Sequence, residues 1–447
     1  MGGIKVGCGG IHRVTEAQEQ LDRTILLCRD YVAPDVPDAD IRRALQSTSI
    51  LCVCNEEIAD SLSAQTALFT LVSLLGRMGM QVGVRTPRVR MVGLQPPFPF
   101  GEIPSSLVAL SDRLISGASI QEATPRFSAD IVFVLGRSAF PSDGAPAWYL
   151  TGDNWSGGIT TDCSRIRKWV ARLPIGAMVS ATLAAGEAFK AAMRRLRLRS
   201  LADAIWFTAC EHCQFTFGNI ETPLRDLDLG QVDLISAGAI TQAALFALAR
   251  IPTVRFVGRV FDDDTTASSN LNRNMLTLSS DVGTLKTIVV AHQFESNIKI
   301  EPVNRKFGTG DGAVQLSNRV LVGVDDIPSR WSVQRSVTGW VGVGGTSHFS
   351  VSSSAHPPQA PCSGCLHPLD DRGDGSPIPT VSFVSFWAGL SLAVRYLREA
   401  IGKPYSADKQ HLWLAPLRLD QPHAALWIPV AARQDCPVRC SSAQRLY

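Results

Sequence analysis

The stretch Phe261–Lys286 reads FDDDTTASSNLNRNMLTLSSDVGTLK, and its reading decides how the rest of the chain is understood. Three acidic residues, Asp262, Asp263 and Asp264, end the run Val254–Val260, which reads as a β-strand. A Ser-Asn-Leu-Asn-Arg turn follows at Ser269–Arg273, and Lys286 comes shortly after a Gly. A carboxylate at a strand end accepts hydrogen bonds from ribose hydroxyls, and Arg and Lys side chains grip polyphosphate. The combination predicts a nucleotide site with two cations facing phosphates, at the point where strands hand over to helices.

Outward from that stretch, the chain is written twice. A first array of elements is expected as strand Ser49–Cys54, helix Ile58–Met78, strands Met80–Arg85, Ile131–Leu135 and Ala147–Leu150, and helix Ile175–Leu196. A second array repeats the order: strand Gln231–Ile235, helix Ile240–Ala249, strands Val254–Val260, Arg319–Val324 and Trp340–Val343, and a helix from Val384 to Ile401. Strands alternating with helices predict an α/β fold, two tandem Rossmann-like doubly wound domains, with residues 1–200 forming one and 201–447 the other. The offset between matching elements grows from 182 residues (Ile50 to Val232) through 189 (Ala129 to Asn318) to about 205 (Pro174 to Pro379), as expected of a duplication whose second copy gained insertions. Two unrelated α/β domains in tandem are the alternative.

The copies differ where chemistry would sit. In the second, the first strand runs into SAGAIT, Ser236–Thr241, where Gly238 flanked by Ala237 and Ala239 lets backbone N–H groups approach a phosphate at a helix N-terminus. In the first, the same turn is CNEEIA, Cys54–Ala59, with no Gly and with Glu56 and Glu57 opposing phosphate. After its second strand the first copy has RTPRVR, Arg85–Arg90, with no carboxylate for a ribose. The first half reads as silent and the second as active.

At 447 residues the chain is long enough for two or three domains. Its 19% charged and 45% hydrophobic residues are ordinary for a globular protein, and a net charge of +3 with no dense basic stripe gives no sign of nucleic-acid binding. The run RRLRLRS, Arg194–Ser200, reads as a solvated helix end with a linker. No apolar run is long enough for a membrane span and no secretory signal pattern opens the chain, so no membrane association and a cytoplasmic location are expected. Eleven cysteines do not make a paired disulfide framework.

Taken together, these motifs resemble the ThiF/MoeB and ubiquitin-activating adenylyltransferase superfamily. The resemblance runs over about Val232–Cys440 and rests on motifs in a shared order: the Gly loop, Asp262-Asp263-Asp264, Ser269-Asn270-Leu271-Asn272-Arg273, Lys286 thirteen residues after Arg273, VLVGVDD with Asp325, Arg330–Arg335, GVGGT at Gly342–Thr346, and PCSGCLHP. The pairing of a silent with an active half is similar to two-half ubiquitin-activating enzymes, including compact bacterial versions from antiviral (Bil-type) conjugation operons. GAMVSATLAAGEAFKAAM, Gly176–Met193, resembles the last helix of their inactive half. The resemblance implies ATP-dependent adenylation of the C-terminal carboxylate of a ubiquitin-like protein. It implies that Asp262, with Asp264, Gly238 and Ala239, binds the nucleotide, Asp262 at the ribose. Asn270, Arg273 and Lys286 would hold the triphosphate and stabilise the α-phosphate, and Asp325 would bind Mg²⁺. The loop departs from the family's G-x-G-x-x-G and keeps only Gly238; hydroxyls of Ser236 or Thr241 are the expected substitutes. The family often supplies an Arg from the partner half, for which Arg42 and Arg43 are candidates, with a solvated helix end as the alternative.

Cys362-x-x-Cys365 and Cys436-x-x-x-Cys440 form two close pairs separated by 70 residues, a pattern that suits a structural Cys₄ zinc site tying the strand region Leu412–Pro429 to the second half. His356 and His367 flank the first pair as possible substitutes. Cys210-x-x-Cys213 reads as a redox or metal pair or as buried core, and Cys52 and Cys54 as core. The crossover Leu369–Phe386 contains no Cys, which leaves a thioester step open, with Cys210, Cys213 and Cys163 as the other candidates. Expected partners are a ubiquitin-like protein and a separate conjugating enzyme, with a dimer possible. Two rival readings stand beside adenylation: an NAD-dependent Rossmann oxidoreductase and a catalytically dead scaffold of the same fold.

Overall fold

The computed structural model describes residues 19–30, 36–137, 144–220, 226–294, 297–308, 314–369 and 378–440. Two sheets dominate it. The first takes β1 (Ser49–Cys54), β2 (Gln81–Arg85), β3 (Ser119–Glu122), β4 (Ile131–Leu135), β5 (Ala147–Gly152), β6 (Ser156–Thr160) and β7 (His212–Thr216) in the order β3-β2-β1-β4-β5-β6-β7. β3, β2, β1, β4 and β5 are parallel, and β6 and β7 are antiparallel additions.

The second sheet takes β8 (Leu227–Ile235), β9 (Val254–Phe261), β10 (Ile298–Val303), β11 (Arg319–Val322), β12 (Trp340–Ser347), β13 (Ser350–His356), β14 (His411–Leu414) and β15 (Ala425–Ile428). Its order, β10-β9-β8-β11-β12-β13-β14-β15, repeats the first sheet position for position and adds one strand. Again the first five are parallel and the remainder antiparallel. Two sheets with one topology are the tandem Rossmann-like arrangement expected from the sequence. β7 lies beyond residue 200, so the first sheet extends past the boundary expected there.

The central strands are continuous apolar runs, because a parallel sheet is covered on both faces. All five residues of β4, IVFVL, are buried. Helices Leu62–Arg77 and Ile175–Met193 cover one face of the first sheet, and helices Ala239–Ala249 and Ser382–Ala400 cover one face of the second. These four helices meet between the sheets, which explains why they are apolar around nearly their whole circumference. One core cluster runs through both halves, joined by aromatic contacts such as Phe189 with Phe383 at 5.5 Å and Phe215 with Trp387 at 5.3 Å.

Small residues set the helix spacing. A Cβ on Gly389 would lie 2.4 Å from Ala243 Cβ and 2.5 Å from the Ile240 carbonyl oxygen, whereas one on Gly186 would meet nothing closer than 3.7 Å. Gly389→Val is expected to lower the unfolding free energy by about 1–3 kcal/mol or more through overpacking. Gly186→Ala is expected to raise it by up to about 1 kcal/mol through helix propensity. Chemical denaturation of the two variants checks both signs.

Candidate active site

The C-terminal ends of β8, β9 and β11 open onto a cavity of about 330 Å³. Every nucleotide-site residue expected from the sequence lines it: Gly238, Ala239, Asp262, Asp264, Asn270, Arg273, Lys286 and Asp325. The position is the crevice at the strand carboxyl ends where α/β sheets bind ligands.

The loop between β8 and the Ala239–Ala249 helix shows how a reduced Gly motif is accommodated. Ser236 adopts a left-handed backbone conformation, φ +83°, which glycine normally occupies. Its hydroxyl accepts the Gly238 N–H at 2.9 Å and stands at the cavity wall. Gly238 is the N-cap of the helix, so the cavity faces the positive end of the helix dipole. Thr241, the other expected hydroxyl, does not line the cavity. Its Oγ1 is buried without a hydrogen-bond partner, 2.7 Å from where a Cβ on Gly323 would sit.

Asp262 organises this loop. One carboxylate oxygen accepts the Ala237 N–H at 2.7 Å and the other accepts the Asp264 N–H at 2.9 Å. Each oxygen retains a further lone pair for a ligand. Asp264 is exposed and pairs with Lys286 at 2.5 Å. Asn270 closes its own turn, its side-chain oxygen accepting the Ala267 N–H at 2.9 Å. Arg273 is half-buried and donates to Asn272 Oδ1 at 2.9 Å; burial, assisted by nearby Arg23, pushes its pKa down to about 10, so it stays cationic at neutral pH. Asp325 and Asp326 follow β11, and Arg330 fixes that corner by donating twice to the Val324 carbonyl, at 3.0 and 2.9 Å.

The sequence reading missed several cavity residues. Arg23, on helix Asp22–Arg29 of the first half, lines the cavity and senses Asp325, while burial lowers its pKa. The helix is held there by contacts with the second half: Asn272 Nδ2 donates to Thr24 Oγ1 at 3.2 Å, and the Thr380 N–H donates to the Arg23 carbonyl at 3.2 Å. Arg42 and Arg43 do not line the cavity. Arg43 pairs with Asp40 on its own helix, and Arg42 approaches Asp22 at 4.0 Å. The first-half Arg at the site is therefore Arg23. Lys306 and Asn274 also line the cavity, and Asn274 Nδ2 is buried with no hydrogen-bond partner. The turn after Arg273 was the available signal for Asn274; nothing local marks Arg23.

Of GVGGT, Thr346 lines the cavity. The glycines serve packing: a Cβ on Gly344 would meet Ile240 at 2.7 Å, and one on Gly345 would meet the Arg330 guanidinium at 3.1 Å.

The first half is built differently at its matching corner. Arg137 pairs with Glu57 at 3.0 Å, and the Asn55 side chain packs so closely on Gly136 that a Cβ there would lie 2.2 Å from its oxygen.

Cys362, Cys365, Cys436 and Cys440 converge at the other end of the second half, with all four Sγ atoms within 4.8 Å of one another. Sγ separations of 3.4 Å (Cys362–Cys436), 3.6 Å (Cys365–Cys440) and 4.0 Å (Cys362–Cys365) bracket the ~3.8 Å edge of a tetrahedron with ~2.3 Å Zn–S bonds. The donor set fits zinc. His356 is not part of it: its ring hydrogen-bonds the Pro361 carbonyl and Ser354, and burial pushes its pKa down to about 3. His367 also stands outside the cluster.

Among the candidate thioester cysteines, Cys210 and Cys213 are 4% and 3% exposed. Cys52 and Cys54, read as core, are buried. Cys163 is exposed but does not line the cavity. In the crossover, residues 370–377 lie outside the described residues. Among the described residues, no helix is long and apolar enough to cross a membrane.

The model of the BilD N-terminal domain family matches residues 49–204, from β1 to beyond the Ile175–Met193 helix. The chain is 22% identical over 338 residues to the uncharacterized protein y4jF of Sinorhizobium fredii (strain NBRC 101917 / NGR234). The match covers 73% of this chain and 61% of that protein, so the chain spans about three fifths of the length of the curated relative it matches. Among solved structures it is similar to E. coli MccB in complex with MccA-N7isoASN, at 14% identity and a TM-score of 0.39 over 48% of this chain and 66% of that one. MccB with ATP matches at 15% identity and 0.39 over 48% and 67%. PaaA matches at 15% identity and 0.35 over 45% and 64%.

The cysteine cluster predicts about one equivalent of zinc per chain by metal analysis. Cys362→Ser or Cys436→Ser is expected to lower that occupancy sharply and lower the melting temperature. A full-length preparation with far less than one equivalent, and no response to a strong chelator, would remove the zinc assignment.

Proposed function

We propose that the second half is an ATP-dependent adenylation site that activates the C-terminal carboxylate of a ubiquitin-like protein. The observation that carries this reading is the set of charged groups around one cavity: Arg23, Arg273, Lys286 and Lys306 with Asp262, Asp264 and Asp325, beside the Gly238 helix start. A carboxylate and a triphosphate repel each other, so the reaction needs cations between them and carboxylates to hold Mg²⁺ and ribose.

In this reading the substrate carboxylate attacks the α-phosphorus of ATP, an acyl–adenylate bond forms and pyrophosphate leaves. Asp262 accepts from the ribose, the Ser236–Ala239 loop faces the phosphates, and Asn270, Arg273, Lys286 and Arg23 stabilise charge at the α-phosphate and the leaving group. Asp325 would hold Mg²⁺, which neutralises phosphate charge. Zinc would be structural. The incoming C-terminal tail reaches the cavity near Thr346. The match of residues 49–204 to the BilD N-terminal domain is in keeping with a conjugation context of the Bil type; a separate conjugating enzyme is part of the proposal and rests on no match.

The test is exchange of labelled pyrophosphate into ATP, in the presence of Mg²⁺ and a ubiquitin-like protein with a free C-terminus. Exchange is expected to require that protein and to fall about 10²–10³-fold in Arg273→Ala or Lys286→Ala. Reduction of NAD instead, or ATP binding without exchange for any ubiquitin-like protein encoded beside this chain, would favour the dehydrogenase or the dead scaffold respectively.

A further inference from the structure

Arg77 ends the Leu62–Arg77 helix of the silent half, yet its guanidinium donates three hydrogen bonds into the active half. Its side chain is fully buried. Nη1 donates to the Leu271 carbonyl at 2.6 Å, and Nη2 donates to the carbonyls of Met275 at 3.0 Å and Thr277 at 2.9 Å. These carbonyls bracket Arg273 on both sides. The segment has no regular secondary structure that would fix it: after the short turn Ser268–Asn270 it runs as irregular chain to Leu278. A buried guanidinium is a rigid planar fork, so three carbonyls placed on it are held in fixed relation.

The segment is tied to the phosphate loop as well. Gln242, fully buried, accepts from the Leu276 N–H at 3.1 Å and from Thr277 Oγ1 at 3.0 Å, and its amide donates to the Ala237 carbonyl at 2.9 Å. The Ala237 N–H in turn donates to Asp262. A continuous chain of bonds therefore runs from Arg77 of one half through 271–277 and Gln242 to the loop at Gly238.

We infer that Arg77 is a positioning residue: with three carbonyls of 271–277 on its guanidinium, it helps set the place of Arg273 and of the phosphate loop, and so controls the grip on the triphosphate. The inference rests on the nucleotide reading above. A natural control exists on the other side of the pseudo-dimer. Arg250 follows the matching helix of the active half, is equally buried, and donates to the Pro96 carbonyl of the silent half at 2.9 Å. Its other hydrogen bond goes to the Phe246 carbonyl of its own helix, away from 271–277, and it does not line the cavity.

The experiment measures calorimetric binding of ATP and of AMP, each with Mg²⁺, to full-length wild type, Arg77→Met, Arg77→Lys and Arg250→Met. A merely structural role would move both nucleotides together, or move neither. Arg77→Met is expected to weaken ATP about tenfold or more and AMP less than threefold, since AMP lacks the β- and γ-phosphates. Arg77→Lys is expected to recover part of the ATP loss, and Arg250→Met to leave the ATP-to-AMP ratio unchanged although it lowers the melting temperature. Amide hydrogen exchange of 271–278 is expected to speed up in Arg77→Met and not in Arg250→Met, which tests the positioning even in a variant too weak to bind. If Arg77→Met retains the wild-type ratio and the wild-type exchange in 271–278, the inference is overturned while nucleotide binding stands. If wild type itself binds neither nucleotide, the nucleotide reading falls and takes the inference with it.

Discussion

The constraint on which the structure depends is an exchange of arginines between its two halves. In each half the first crossover helix ends at a buried arginine, Arg77 or Arg250, and each guanidinium reaches a carbonyl in the loop that follows the second strand of the other half. Burying a guanidinium is costly unless most of its donors are met, and removing its acceptors leaves an unpaired buried charge that costs several kcal/mol. In both arginines Nε stays without a partner, so the terminal nitrogens and their cross-interface carbonyls carry the compensation. Burial pushes Arg77 down to about 9, which still leaves it charged at neutral pH and bound to its acceptors.

The exchange is unequal, and the inequality follows the chemistry. The active half's loop gives three carbonyls to Arg77, whereas the silent half's loop gives one to Arg250. At the matching corner the first half holds an ion pair, Arg137 with Glu57, and an Asn seated on Gly136. It faces the second half with Arg77 behind the cavity wall and Arg23 on the wall itself. Two sheets of one topology thus meet at an interface whose contacts are unequal.

The sequence made the parallel cores legible because their strands are unbroken apolar runs, such as β1 and β4, between strong helices. It made the cavity legible because its residues lie close together at strand ends, with Arg273 and Lys286 at a fixed spacing. The edge strands were harder. β6 is SGGIT and β7 alternates as HCQFT, so neither carries the apolar signal, and β7 joins the first sheet from beyond residue 200. Arg23 was invisible for a different reason: it is some 240 residues from the strands it serves, on a helix of ordinary pattern, and only the folding of one half onto the other brings it near Asp325. The weak Gly loop was read correctly as a departure, but its accommodation needed backbone geometry. A serine at φ +83° is strained by about 1–2 kcal/mol relative to glycine, and its hydroxyl offsets part of that by accepting the Gly238 N–H.

The cysteine cluster belongs to the same logic although it stands outside the cavity. It packs against the Ile327–Ser336 helix, whose N-cap is Asp326 and which begins directly after Asp325. Bonds that join them include Trp331 Nε1 to the His367 carbonyl at 2.9 Å, the Ser363 N–H to Gln334 Oε1 at 3.2 Å, Ser363 Oγ to the Arg330 carbonyl at 3.5 Å, and Arg335 to the Pro437 carbonyl at 2.7 Å. From inside the same helix Arg330 holds the Val324 carbonyl. The helix is ten residues long and buries only Arg330 and Val333, too little apolar surface to fix its own position. The four-cysteine lobe against its outer face supplies a further constraint, and zinc on the four thiolates would stiffen it. Arg77 braces the cavity from behind Arg273 and the cysteine lobe braces it from behind Asp325, so the cation and the carboxylate on the cavity wall are each held from outside it.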